Sequence, residues 1–79
     1  MNTLAEKIDA RAVDVSFTED ALHVVLADGR EVSAPLHWFP RLLMATAEQR
    51  KQWELIGDGI GIHWPLVDED VEVESLLAT

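Results

Sequence analysis

Ala21-Leu22-His23-Val24-Val25-Leu26-Ala27-Asp28-Gly29-Arg30-Glu31-Val32-Ser33-Ala34-Pro35-Leu36 is the stretch that decides the fold. Leu22, Val24 and Leu26 hold alternate positions, and so do Val32, Ala34 and Leu36. Period-two alternation marks a half-buried strand. Asp28-Gly29 between the two runs marks a hairpin. Two loops compete. A two-residue Asp28-Gly29 loop sets Leu26 against Glu31 and Val24 against Ser33, which mixes apolar and polar side chains on one face. A three-residue Ala27-Asp28-Gly29 loop sets Leu26 against Arg30, Val24 against Val32 and Leu22 against Ala34. The buried face dictates register. The three-residue loop is therefore expected, with Gly29 left-handed in a G1 bulge.

Upstream, Val13, Val15 and Phe17 alternate with Asp14 and Ser16, which predicts a strand over Ala12–Phe17 with those three side chains inward. Thr18-Glu19-Asp20 is a turn, so the first half of the chain reads as a three-strand antiparallel meander. Met1–Arg11 is poorly periodic and reads as a loose N-terminal arm. Leu4 and Ile8 sit four apart and allow one helical turn.

Downstream, Pro35 and Pro40 bracket Leu36-His37-Trp38-Phe39. Pro40 suits a first helical position, and Arg41–Ala45 reads as a short helix. Thr46 and Gln49 form a capping box, which predicts a second helix over about Ala47–Glu54, with Gly57 stopping it. Trp53 and Ile56 would share its packed face. Next comes Gly57-Asp58-Gly59-Ile60-Gly61-Ile62-His63-Trp64-Pro65. A fourth strand is expected here. Ile60, Ile62 and Trp64 face one way, and Gly59, Gly61 and His63 face the other. The glycine face is bare enough for a backbone or a ligand to approach. Asp68–Asp70 reads as a loop, Val71–Val73 as an extended piece and Ser75–Ala78 as a last turn. The fold class is thus α+β: a small antiparallel sheet, two short helices and a C-terminal extended segment, in one domain over residues 1–79.

Composition narrows the functions. The net charge is -9, with seven acids and four bases in residues 1–45 and eight acids and two bases in 46–79. Nucleic-acid and anionic-membrane surfaces both select for lysine and arginine, so neither is an expected partner. A basic protein partner is. Cysteine is absent, which removes disulfides and thiolate zinc sites. The first residues carry neither a basic segment nor an apolar run. A signal peptide is therefore not expected and the location reads as cytoplasmic.

Each motif has a plain reading beside a chemical one. The Gly57-x-Gly59-x-Gly61 spacing suggests a phosphate loop, but neither a helix nor a lysine follows it, so a tight bend is the better account. Asp68-x-Asp70-x-Glu72 begins like a calcium loop. Val73 then stands where the turn glycine belongs and Thr79 where the bidentate glutamate belongs. No metal or cofactor is expected. His63 with Asp68 reads as an acid–base pair in space, but a lone histidine beside tryptophan is mostly structural, and Ser16, Ser33 and Ser75 sit in no nucleophile elbow. Trp38, Phe39, Trp53 and Trp64 supply bulk for a small core, while Trp38 between prolines also suits an interface anchor.

The residues together resemble a known family. Leu26-x-Asp28-Gly29-Arg30, Pro35-Leu36, Pro40-Arg41-Leu42, Ala45-Thr46-x-x-Gln49-Arg50, Gly59-x-Gly61-Ile62-His63-Trp64-Pro65 and Asp68-Glu69-Asp70-Val71 occur in that order. This pattern is similar to the small bacterial family called domain of unknown function 2442 over nearly all of the chain after residue 12. The resemblance implies a small α+β fold and a link to proposed toxin–antitoxin pairs. It supplies no catalytic residues to carry over. Some members add a helix-turn-helix domain, which is not expected here.

The expectation is a non-catalytic, antitoxin-like binding module that masks a small basic partner. Its contact residues would be Trp38, His63, Trp64, Asp68, Glu69, Asp70 and Glu72. The alternative is a small-ligand-binding or enzymatic homo-oligomer that uses the Gly59–Gly61 and His63 face.

Overall fold

The computed structural model describes residues 8–77. Strands β1 (Ala12–Phe17), β2 (Ala21–Leu26) and β3 (Glu31–Pro35) form one antiparallel sheet in that order. A 3-10 turn, Leu36–Trp38, leads to helices α1 (Pro40–Leu43) and α2 (Ala47–Lys51). Strands β4 (Glu54–Ile56), β5 (Gly61–Trp64) and β6 (Glu69–Glu72) form a second antiparallel sheet. Helix α3 (Val73–Leu77) follows. The class is α+β, as the alternation and the capping box imply. A complete second sheet stands where a single strand and an extended tail were expected.

The deciding hairpin takes the three-residue loop. Val24 lies opposite Val32 and Leu22 opposite Ala34, while Val25 faces Glu31. Leu26 N donates to Arg30 O at 2.8 Å and Gly29 has φ +93°. Asp28 fastens the loop. Its carboxylate accepts from the Arg30 guanidinium and from Asp9 N, and the Arg30 bond, the larger cause, holds its pKa down to about 2. Ala27 N also donates to Arg11 O and Asp28 N to Asp9 O, so Asp9–Arg11 is bonded to the hairpin tip rather than loose. Leu4 lies outside the described residues, so its expected turn does too.

Four expectations are corrected. In β1 the register shifts between Ala12 and Asp14. This bulge reverses the facing of the strand start, so Ala12 is buried and Val13 is 52% exposed. The second helix ends at Lys51, not near Glu54. Gln52 leaves the helical region at ψ 80°, and Glu54–Ile56 becomes the partner strand of β5. Pairing across the sheet outweighs the helical preference of that segment. Ile60 does not join the inward row: β5 begins at Gly61, and Ile60 caps the preceding turn, 62% exposed. At the C-terminal end, Glu69 and Asp70 of the expected loop belong to β6, which also takes Val71 and Glu72 of the expected extended piece; Val73 opens α3, which holds Ser75–Leu77 of the expected last turn, while Ala78 lies outside the described residues.

The two sheets share one core. Leu22, Val24 and Leu26 from the first meet Ile62, Trp64 and Val71 from the second, with Leu36, Leu42 and Val73 between. Trp64 is the largest fully buried side chain. Its Nε1–H donates to Arg50 O at 3.1 Å, and the Phe17 ring meets it edge-on at 6.1 Å. Burying a tryptophan removes roughly 200 Å² from water, which stabilises by about 5 kcal/mol as an upper figure.

Candidate functional site

The hairpin that joins β4 to β5 explains the glycine spacing. Gly57, Asp58 and Gly59 all have positive φ, at +58°, +60° and +113°. Gly59 also packs on the start of β1: a Cβ there would lie 2.5 Å from Ala12 O. A Cβ at Gly61 would lie 3.4 Å from Val71 O. The bare glycine face is therefore filled by the chain's own backbone. The bend reading of the glycines holds, and the Gly59 side offers no room to a ligand.

On the outer face of the second sheet, Glu54, His63 and Asp70 form one cross-strand row and Ile56, Gly61 and Glu72 the next. His63 Nδ1 is hydrogen-bonded to the Asp70 carboxylate. That bond raises the histidine pKa against the opposing effect of partial burial, and the charges of Asp70, Glu54 and Asp68 add to the rise. The acid partner is thus Asp70, opposite in register, and not Asp68. Asp68 occupies the turn between β5 and β6 with φ +54° and its side chain 92% exposed. Arg41 donates to the Asp68 carbonyl at 2.5 Å and ties α1 to this turn.

The cations are largely committed elsewhere. Arg11 pairs with Asp9 and Arg30 with Asp28. Arg50 donates to the carbonyls of Leu42 and Leu43 at the end of α1 and stacks 5.2 Å over Phe17. Strands β4, β5 and β6 contain no lysine or arginine. Glu54 and Glu72 have no lysine or arginine partner among the described residues. The result is a carboxylate-rich sheet face with one histidine at its centre.

Of the residues predicted from sequence, His63, Asp70 and Glu72 come together on this face. Glu69 pairs opposite Trp64 and is half-buried, and Asp68 flanks the face from the turn. Trp38 is 56% exposed on the 3-10 turn, outside the sheet. Trp64 is a correction: fully buried and hydrogen-bonded to Arg50 O, it serves the core and offers nothing to a partner. Glu54 was missed because its segment reads as helix. Of three surface grooves, one borders this face through Glu72, and His63 lines none of the three. Among the described residues no group of metal-ligating side chains is poised to hold an ion, and no helix is long and apolar enough to cross a membrane.

The family described as "Protein of unknown function (DUF2442)" matches residues 12–79. The chain belongs to the DUF2442 family. This DUF2442 chain is similar in structure to a protein of unknown function from Rhodospirillum rubrum ATCC 11170, with TM-score 0.72 and 27% identity. The match covers 86% of this chain and 84% of that one. Among curated proteins, none matches the chain.

Proposed function

We propose that this DUF2442 chain is a non-catalytic, antitoxin-like binding module that masks a small basic protein in a bacterial cytoplasm. The observation that carries this reading is the outer face of β4–β5–β6, where Glu54, Asp70 and Glu72 surround His63 with no lysine or arginine on any of the three strands. The net charge of -9 extends the same field over the molecule. Such a field steers a basic partner and sets the rate of encounter, while aromatic anchors of the Trp38 kind lengthen residence. Masking is then steric and electrostatic, and no bond is made or broken.

The test is association with a partner captured from native lysate, followed by rapid mixing. Replacing Asp68, Glu69 and Asp70 together by lysine lowers the association rate by about tenfold or more at low salt and by far less at high salt. An association rate that ignores the triple substitution at low salt counts against this face.

A further inference from the structure

The geometry points to a second chemistry, independent of the binding-module reading: Ser33, His23 and Glu31 form an activated-hydroxyl site on the outer face of the first sheet that accepts an acyl group from small esters. His23 Nδ1 lies 2.8 Å from Ser33 Oγ, and His23 Nε2 lies 2.9 Å from Glu31 Oε1. An ionised carboxylate only accepts hydrogen bonds. In the neutral ring Glu31 therefore holds the proton on Nε2. The Nδ1 lone pair is left to accept from the Ser33 hydroxyl. Nucleophile, base and orienting acid stand in the order that serine acylation requires.

The ladder supplies a further group. Leu26 N donates to Arg30 O and Leu36 N to Asp20 O. Bonded and non-bonded pairs alternate along an antiparallel ladder, so the facing pair His23 and Ser33 is non-bonded. Side chains approach most closely at such pairs, and the Ser33 N–H points away from β2. β3 is an edge of its sheet. The Ser33 N–H therefore points to the side of β3 that no strand of the sheet occupies, where it would meet a carbonyl oxygen as it gains charge. Ser33 also lines a shallow groove with Asp20, Ala21, Ala34 and Pro35. Ala21, on the same face as His23, leaves room for an acyl group of acetyl size, and Asp20 disfavours anionic esters.

The step balances. Ser33 Oγ attacks the ester carbonyl carbon and its proton passes to His23 Nδ1. The bond from carbon to the leaving oxygen then breaks, and the His23 proton passes to that oxygen. The products are an acyl ester on Ser33 and a free alcohol. Glu31 acts through His23 and is a positioning residue.

The experiment treats the full chain with p-nitrophenyl acetate and maps stable acetyl esters by mass spectrometry. General-base assistance is worth roughly 100-fold or more. Ser33 is therefore expected to acetylate at least about tenfold faster than Ser16 or Ser75. His23→Gln brings Ser33 down to the rate of the other serines, with the unfolding midpoint checked in parallel. Ser33→Ala, at an exposed position, removes the stable ester without disturbing the fold. Glu31→Ala slows the labelling and Glu31→Asp restores part of it, which a merely structural role would not produce. Equal labelling of the three serines, or labelling of Ser33 unchanged by His23→Gln in folded protein, overturns the proposal.

Discussion

Two glycines with positive φ differ in what surrounds them. At Gly29, φ is +93° and a Cβ would meet nothing within 4 Å. At Gly59, φ is +113° and a Cβ would strike Ala12 O and Ala12 N. Gly29→Ala is expected to cost about 1–2 kcal/mol from left-handed strain alone. Gly59→Ala carries about 1–3 kcal/mol of strain and must also push the two sheets apart. Urea midpoints of the two variants check the ranking, and equal losses would mean that β1 yields freely. The sequence shows that Gly29 serves the hairpin loop and Gly59 a bend, since neither a helix nor a lysine follows Gly57-x-Gly59-x-Gly61. It does not show what fills the space above Gly59, since that neighbour lies far away in the chain. The partner of His63 was misread for the same kind of reason: Asp68 is nearer in sequence, but strand register selects Asp70. His23 and Ser33 were legible in principle. The register deduced from Leu22 and Val24 already sets them face to face.

Among the elements, α2 is the one that local chemistry specifies most fully. The Thr46 side chain accepts from Gln49 N, and the Gln49 side chain accepts from Thr46 N. Thr46→Ala is expected to destabilise by about 1 kcal/mol, read as a shift in the urea midpoint. What the box could not reveal is where the helix ends. That is decided at β4, whose three residues are all exposed and are held by pairing with β5. The second sheet also carries a pH dependence. The pKa of His63 is raised in the folded state, chiefly by its bond to Asp70. A raised value means that the stabilisation is fully present below the ordinary histidine value of about 6.5 and is lost as pH rises through the folded value. Stability measured from about pH 6 to about pH 9 should show this loss, and Asp70→Asn should abolish it. A titration of the His63 ring by NMR that shows no upward displacement would refute the assignment.

At the scale of the whole molecule, every strand pairing among the described residues joins neighbours in sequence: β1 with β2, β2 with β3, β4 with β5, β5 with β6. The meander half was readable because its alternation is unbroken. The second half was not, because Gly, Pro and acidic residues interrupt its strands and only the finished sheet makes their order sensible. This arrangement has a kinetic meaning. Each sheet closes short loops, and low contact order favours folding in milliseconds or faster. The long-range contacts, Gly59 on Ala12 and Trp64 against Phe17, form when the two sheets dock. In stopped-flow refolding, Val24→Ala should slow the folding limb, because β2 is the central strand of the local meander, the unit expected to form first. Trp64→Phe should instead speed unfolding and leave refolding nearly unchanged. The Trp64–Arg50 latch would then govern how long a folded molecule persists, and the Asp28–Gly29 hairpin how quickly a new one appears.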